Sequence, residues 1–124
     1  MAFGDVLWAN LPPIPRGDQP PSHEQAGTRT AILIQCDEDD VRLNTRLVVP
    51  TSGQIATLRF PGTMLVQPTA ANGLREPSVL LVHAIVALDK RKVGGRLGTL
   101  EGTSILELKL LLRTFLQLEG LANP

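Results

Sequence analysis

The residues best suited to chemistry in this chain begin with an arginine at the entrance to an apolar segment. Residues 23–29 read HEQAGTR and lead through Thr30 into AILIQC, a run typical of a buried strand. Arginine stays charged at any physiological pH, and its forked guanidinium matches two oxygens of a phosphate. Two interpretations of Arg29 stay open at this point: a hairpin loop with a solvated charge, or a loop that binds an anion or takes part in catalysis.

Other reactive side chains are few and scattered. The two histidines, His23 and His83, lie far apart, and no segment has zinc-ligand spacing, a Walker loop or a dinucleotide-binding glycine pattern. Cys36 is the single cysteine, so an intramolecular disulfide is excluded, and we expect a buried thiol at a strand end. The acidic run of residues 37–40 is interpreted as a solvated loop tip. We therefore expect no metal site and no cofactor.

Composition and charge limit the classes of protein to consider. With 124 residues, 43% of them apolar, we expect one domain spanning residues 1–124 with its own core. The net charge is zero, yet residues 1–40 carry two basic against seven acidic side chains and residues 41–96 carry eight against two. This asymmetry permits a local basic face. Since neither a signal peptide nor an apolar run of membrane-spanning length is found, we expect a cytoplasmic protein with no membrane association.

Short apolar and β-branched runs between turn-forming residues predict a mainly β protein. The expected strands are residues 5–11, 30–36, 45–52 and the long run 78–89, with two short strands or an extended excursion over residues 53–68. Residues 12–27 form a loop whose length is more often functional than idle. The segment VGGRLG, residues 93–98, is interpreted as a β-turn because it is rich in glycine.

The chain ends in a helical pattern. Ser104 and Glu107 have capping-box spacing, and apolar residues then recur every three or four positions, so we expect a helix of about 16 residues ending near Gly120. Extra leucines widen its apolar stripe and indicate a second buried contact, such as a dimer partner. Strands followed by one helix favour a β-barrel or sandwich with a C-terminal α-helix.

Four segments, in order along the chain, resemble the MazF/PemK endoribonuclease toxins. They are GDVLWANL (residues 4–11), HEQAGTRTAILI (23–34), LVVPTS (47–52) and SVLLVHAIVALDKRKV (78–93). The resemblance implies an SH3-like β-barrel of the CcdB/PemK type with a C-terminal helix, a homodimer and a cognate antitoxin partner. It also implies a toxin of a type II toxin-antitoxin system that cleaves single-stranded mRNA sequence-specifically and without metal. The expected products are a 2′,3′-cyclic phosphate and a 5′-hydroxyl.

The resemblance also implies roles for individual residues. Arg29 falls at the position that binds or protonates the scissile phosphate, and the strand-end hydroxyl falls on Thr51 or its neighbour Ser52, so both are kept as catalytic candidates. Three residues belong to the loop that covers the substrate: Glu24, Gln25 and Gly27. These roles are chemically sufficient, because RNA supplies its own 2′-hydroxyl nucleophile and the protein must move protons and stabilise a phosphorane.

Aromatic residues are scarce, although single-stranded RNA is recognised largely by stacking. Phe60, in the basic middle segment, is the best candidate to stack on a base, whereas Trp8 is expected in the core or at a dimer interface. His83 stands where family members carry an acidic or polar residue. Because histidine titrates near neutral pH, we predict a general acid or base there, with a half-buried structural histidine as the alternative.

The chain departs from the family pattern in three places. Thr30 replaces the proline that follows the loop arginine, the loop before Glu24 is longer by seven residues, and Val86 occupies the position of a family arginine. Two other hypotheses therefore stay open beside the endoribonuclease. One is a non-catalytic, CcdB-like toxin that inhibits a protein target such as DNA gyrase through its C-terminal end, and the other is an inactive RNA-binding barrel.

Overall fold

The computed structural model describes residues 1–12, 27–118 and 120. The predictions for Glu24 and Gln25, for most of the loop over residues 12–27 and for most of the C-terminal end lie outside these residues. The described chain forms seven strands and two α-helices: β1 (Asp5–Leu11), β2 (Gly27–Leu33), α1 (Asp37–Arg42), β3 (Thr45–Ser52), β4 (Thr63–Val66), β5 (Ser78–Leu81), β6 (Val86–Asp89), β7 (Val93–Thr99) and α2 (Gly102–Phe115).

The strands form one antiparallel sheet in the order β4-β5-β3-β2-β1-β7, with β6 also paired to β3. Alternation of side chains gives the sheet two buried faces. On one face Val6, Ile32 and Val49 pack with Leu108 of α2, and on the other Leu7, Leu33 and Val48 form a second apolar cluster. The predicted mainly β class with a C-terminal helix is confirmed, and the strand order is compatible with an SH3-like barrel.

The long run over residues 78–89, expected as one strand, is two strands that pair with different parts of β3. Thr51 lies opposite Leu80 of β5, whereas Val48 lies opposite Val86 of β6. A 3-10 turn over Val82–Ala84 separates the two strands, and the Gly62 carbonyl accepts the Val82 amide at 2.7 Å. The expectation of one strand was wrong because a long run of apolar and β-branched residues does not reveal where the chain changes its partner.

The glycine-rich segment expected as a β-turn is part of strand β7. Its glycines allow other backbone atoms to approach closely: a Cβ at Gly98 would lie 2.3 Å from the Ala71 carbonyl oxygen, and one at Gly94 would lie 3.2 Å from Trp8 Cβ. Glycine in a strand commonly marks such an approach. The interpretation as a turn was therefore wrong, since the glycines serve packing between segments distant in the chain.

Helix α1 corrects one expectation about the acidic run, whose residues 37–39 are exposed as expected, and one about Cys36. Asp40 is not solvated, because it is only 6% exposed and pairs with Arg46, whose Nε lies 2.7 Å from Asp40 Oδ1. The hydrogen bond from Arg46 is the main reason that the pKa of Asp40 is lowered. Cys36, expected to be buried in a strand, is exposed at the start of α1, and its Sγ donates to Asp39 Oδ2 at 2.9 Å. Strand β2 ends at Leu33, which leaves Cys36 outside the sheet.

Helix α2 begins before the predicted capping box. It starts at Gly102 with Glu101 at the N-cap, so Ser104 lies inside the first turn, and it ends at Phe115 before Gly120. Leu108 is fully buried against the sheet, as the apolar stripe predicts. Several large apolar side chains along the helix and just beyond it stay exposed: Leu106, Leu110, Phe115, Leu116 and Leu118.

Two aspartates of the segments that resemble MazF/PemK toxins accept hydrogen bonds that stabilise the strand ends. Asp5 is 1% exposed and accepts hydrogen bonds from the Thr99 hydroxyl at 2.8 Å and the Ala2 amide at 2.7 Å. Asp89 accepts the side chain and the amide of Arg91, and these bonds lower the pKa of Asp89 to about 2. These aspartates therefore join β1 to β7 and close the turn after β6.

Candidate active site

A cavity of about 390 Å³ opens where the ends of β2 and β3 meet the chain segment that precedes β5. One wall carries residues 28–30 of β2, a second carries residues 51–53 at the end of β3, and a third carries residues 73–76 and Ser78. Trp8 and Leu97 complete the lining. The cavity thus brings together three stretches of sequence, each separated from the next by about 20 residues.

Arg29 lies on β2, opposite Ala9 of β1, and it is one of the cavity residues. Its side chain is half-buried, and the Nε and Nη2 nitrogens are screened from solvent. The interpretation of Arg29 as a fully solvated loop charge is therefore wrong. A guanidinium held in a partly desolvated cavity interacts more strongly with an anion than one in bulk water, because the local dielectric is lower.

Thr51 and Ser52, which the sequence could not separate, have different surroundings. Thr51 is 5% exposed, and its Oγ1 lies 2.5 Å from Thr30 Oγ1 and 3.2 Å from the Thr30 carbonyl oxygen. The Ser52 hydroxyl is half-buried and accepts the Gln54 amide at 3.1 Å, which stabilises the turn after β3. Both hydroxyls line the cavity with Arg29.

The third wall of the cavity was missed by the sequence analysis. It carries Arg75 and Glu76, two exposed charged residues on the segment between β4 and β5. This segment had been interpreted only as a turn at Asn72-Gly73. The excess of basic residues between positions 41 and 96 was the one signal in the sequence, and it could not single out Arg75.

Asn72 holds the third wall in place. It is fully buried: its Oδ1 accepts the amides of Thr69 and Leu74, both at 3.0 Å, and its Nδ2 donates to the Gln67 carbonyl at 2.9 Å and to Glu101 Oε1 at 3.2 Å. The Thr69 hydroxyl donates to Glu101 Oε2 at 2.5 Å, and this bond is the main reason that the pKa of Glu101 is lowered. The segment that carries Arg75 is thereby fastened to the N-cap of α2.

The structure does not bring the predicted residues His83 and Phe60 to this cavity. His83 is exposed in the turn between β5 and β6, and its ring centroid lies 6.4 Å from that of Phe60. The Arg59 guanidinium carbon lies 4.9 Å from the Phe60 centroid, a cation–π distance. These three side chains form a separate exposed cluster, in which Phe60 is 47% exposed.

The structure describes two more of the residues that the sequence analysis singled out, Gly27 and Trp8. Gly27 begins β2 opposite Leu11 with a φ of 105°, a conformation that favours glycine. Trp8 is half-buried and lines the cavity, so the core alternative is wrong for it, and a dimer interface stays a prediction. In the described part of the chain no group of three His, Cys, Asp or Glu side chains could hold a metal ion. Likewise, neither described α-helix is long and apolar enough to cross a membrane.

Comparison with known proteins identifies the family. The family described as PemK-like, MazF-like toxin of type II toxin-antitoxin system matches residues 2–116. Endoribonuclease MazF2 of Mycobacterium bovis and endoribonuclease MazF6 of Mycobacterium tuberculosis are each 31% identical over 115 residues, which cover 92% of this chain and 95% of the relative. The chain belongs to the PemK/MazF toxin family, as the four segments of its sequence indicated.

Solved structures show the same fold. An endoribonuclease in complex with its cognate antitoxin from a mycobacterial species has a TM-score of 0.70 at 18% identity and covers 100% of this chain and 99% of its own. MazF of Deinococcus radiodurans has a TM-score of 0.69 at 18% identity, with 94% and 96% covered. At these identities the likeness concerns the fold.

Proposed function

We propose that this protein is the toxin of a type II toxin-antitoxin system and acts as a sequence-specific, metal-independent endoribonuclease on single-stranded mRNA. The observation that carries the proposal is the cavity that Arg29 of β2 and Thr51 of β3 both line. Membership of the PemK/MazF family and relatives named endoribonucleases support it over the CcdB-like alternative. We place its action in the cytoplasm, where mRNA is translated.

The cavity supplies the groups that internal RNA cleavage needs. The 2′-oxygen of the substrate forms a bond to phosphorus as the bond from phosphorus to the 5′-oxygen breaks, and the proton lost by the 2′-hydroxyl is balanced by one gained at the 5′-oxygen. Arg29 binds the non-bridging phosphate oxygens, whose negative charge grows in the transition state, and Thr51 or Ser52 donates one further hydrogen bond. The products are a 2′,3′-cyclic phosphate and a 5′-hydroxyl.

The proposed RNA path extends from the cavity to the exposed cluster of Arg59, Phe60 and His83. Base stacking on an aromatic ring is the sequence-tolerant part of single-strand binding, and the nearby Arg59 adds positive charge for the backbone. His83 stays a predicted proton carrier that must reach the substrate from outside the cavity. Glu24, Gln25 and Gly27 are proposed to cover the substrate.

We propose a homodimer and a cognate antitoxin as protein partners. The support is the set of large apolar side chains that α2 and the residues after it expose, from Leu106, which is 59% exposed, to Leu118, which is 45% exposed. Exposed apolar residues grouped on one element commonly mark an interface between proteins. Two solved structures with this fold contain a partner: the mycobacterial endoribonuclease with its cognate antitoxin, and MazF of Deinococcus radiodurans with MazE.

Cleavage of a long mixed-sequence RNA in the presence of EDTA tests the proposed activity. The wild-type protein should produce discrete cuts that end in 2′,3′-cyclic phosphates, and Arg29→Ala should abolish them with an unchanged circular dichroism spectrum. Arg42→Ala, which removes an exposed arginine from α1, is the matched control and should cut as the wild type does. Intact RNA with the wild type, or cuts that require Mg²⁺, would refute the proposal.

Separate variants test which of the two hydroxyls takes part in cleavage and whether His83 does. If the Thr51 hydroxyl is the donor, Thr51→Val should lower the cleavage rate much more than Ser52→Ala, and the reverse order would assign the role to Ser52, whose hydroxyl accepts the Gln54 amide and keeps its proton for donation. His83→Ala should flatten the pH dependence of cleavage if His83 carries a proton. An unchanged pH profile would remove it from the catalytic set.

A further inference from the structure

The hydroxyl of Thr30 is the polar group closest to Thr51 in the cavity. Its Oγ1 lies 2.5 Å from Thr51 Oγ1, on the neighbouring antiparallel strand. The register sets this pair, since Ala31 lies opposite Pro50 and the next pair along the two strands is Thr30 and Thr51. Both side chains are β-branched, which restricts their rotamers, so the contact is held by backbone pairing and by stiff side chains.

The neighbours of Thr51 determine where its hydroxyl proton goes. Besides Thr30 Oγ1, Thr51 Oγ1 has the Thr30 carbonyl oxygen at 3.2 Å, and a carbonyl oxygen can only accept. A hydroxyl has one proton, so both contacts are satisfied when Thr51 donates to the carbonyl and Thr30 donates to Thr51. In this arrangement the Thr51 oxygen accepts one hydrogen bond, and its own proton is directed to the Thr30 carbonyl oxygen, the longer of its two contacts.

We propose that Thr30 is a positioning residue for catalysis: its hydroxyl donates to Thr51 Oγ1 and thereby frees the Thr51 proton for a phosphate oxygen of the substrate. A hydroxyl that accepts a hydrogen bond is polarised and becomes a better donor. When an anionic phosphate enters the cavity, the Thr51 proton turns from the Thr30 carbonyl, at 3.2 Å, to the charged oxygen, which is the stronger acceptor. This inference rests on the proposed endoribonuclease function.

The family resemblance does not imply a role for Thr30. The family pattern has proline after the loop arginine, and proline has no hydroxyl to donate. Thr30 also lines the cavity, so it is placed to act on the substrate's side of Thr51. In this chain the residue beside the arginine therefore adds a hydrogen bond to the catalytic hydroxyl.

The test compares steady-state RNA cleavage by Thr30→Val and Thr30→Ser. Thr30→Val keeps the shape of the side chain and removes the donor, and we expect kcat to fall about tenfold, the kinetic equivalent of one hydrogen bond, with KM almost unchanged. Thr30→Ser restores the donor and should recover most of the rate. Thr45→Val makes the same chemical change at an exposed site at the other end of β3, and should leave cleavage unchanged.

A double-mutant cycle separates positioning from a general structural effect. In the Thr51→Val background the Thr30→Val substitution should cost nothing further, because its effect passes through Thr51. The inference is overturned if Thr30→Val cleaves at the wild-type rate, if Thr30→Ser is as slow as Thr30→Val, or if Thr30→Val lowers the rate by the same factor in both backgrounds. Should Thr30→Val fail to fold, Thr30→Ala is measured in its place with the same criteria.

Failure of this inference is distinguishable from failure of the proposed function. If the wild-type protein leaves RNA intact, the endoribonuclease proposal falls and the role of Thr30 falls with it. If the wild type cleaves and only the Thr30 variants behave contrary to expectation, the endoribonuclease proposal stands and Thr30 is a structural residue of the sheet.

Discussion

Replacing Asn72 with alanine should destabilise the protein although the side chain is small and touches no proposed substrate. The amide of Asn72 is fully buried and makes four side-chain hydrogen bonds, two accepted from backbone amides and two donated to Gln67 and Glu101. Alanine removes all four and leaves the amides of Thr69 and Leu74 without these acceptors.

The expected magnitude follows from the number and the burial of these bonds. A protein hydrogen bond contributes a net 0.5–1.5 kcal/mol on average, so four bonds correspond to about 2–6 kcal/mol. Because Asn72 itself is fully buried and Leu74 is 7% exposed, water replaces few of them, and we expect a loss of about 3 kcal/mol in the free energy of unfolding. For a domain of this size that loss lowers the melting temperature by roughly 10 °C.

Urea denaturation followed by circular dichroism measures the effect. Asn44→Ala removes an exposed asparagine and should change the free energy of unfolding by less than about 0.5 kcal/mol. At a temperature where both variants are folded, Asn72→Ala should also cleave RNA more slowly than Asn44→Ala, since its segment carries Arg75 and Glu76 to the cavity.

A second substitution checks the assignment of the two donated bonds. Asn72→Asp keeps the acceptor and places a carboxylate beside Glu101 Oε1, which lies 3.2 Å from the Asn72 nitrogen. At neutral pH it should be at least as destabilising as alanine, and it should recover stability as the pH falls and the introduced carboxylate is protonated. An Asn72→Ala variant as stable as Asn44→Ala would refute the reasoning from the four bonds.

Three other predictions concern the Asp40–Arg46 ion pair, Arg75 in the wall of the cavity, and Phe60. Asp40→Asn should lower the free energy of unfolding by about 2–3 kcal/mol at neutral pH, because it leaves Arg46 without its partner in a nearly buried site, where broken ion pairs are costly. Since the pKa of Asp40 is lowered from its ordinary value of 3.8, the stability that the wild type gains from the pair is complete above that pH and is lost as the pH falls through the lowered pKa, which acid denaturation of both proteins measures. Arg75→Ala should weaken binding of single-stranded RNA and reduce its dependence on salt, whereas Arg42→Ala should do neither; equal salt slopes would exclude a phosphate contact. Phe60→Leu should raise KM several-fold with little change in kcat, and an unchanged KM would exclude stacking.

Local sequence patterns correctly predicted the elements whose structure depends on near neighbours. The apolar runs of β1 and β3 identify buried strands, and the three-to-four spacing around Leu108 identifies the buried side of α2, because side-chain direction repeats with the period of the helix. The patterns misplaced the ends of elements. They could not reveal that Glu101 rather than Ser104 precedes α2, since Glu101 is held by Thr69 and Asn72 of a distant segment.

By itself the sequence identified the family, the mainly β fold with its C-terminal helix, and the arginine and hydroxyl that meet in one cavity. Only the tertiary structure decided that Arg29 is half-buried, that Thr51 is bonded to Thr30, and that Arg75 faces the same cavity while His83 does not. The reason is physical: periodicity encodes which side of a strand is buried, but a contact between residues far apart in the chain exists only once the strands have paired in register.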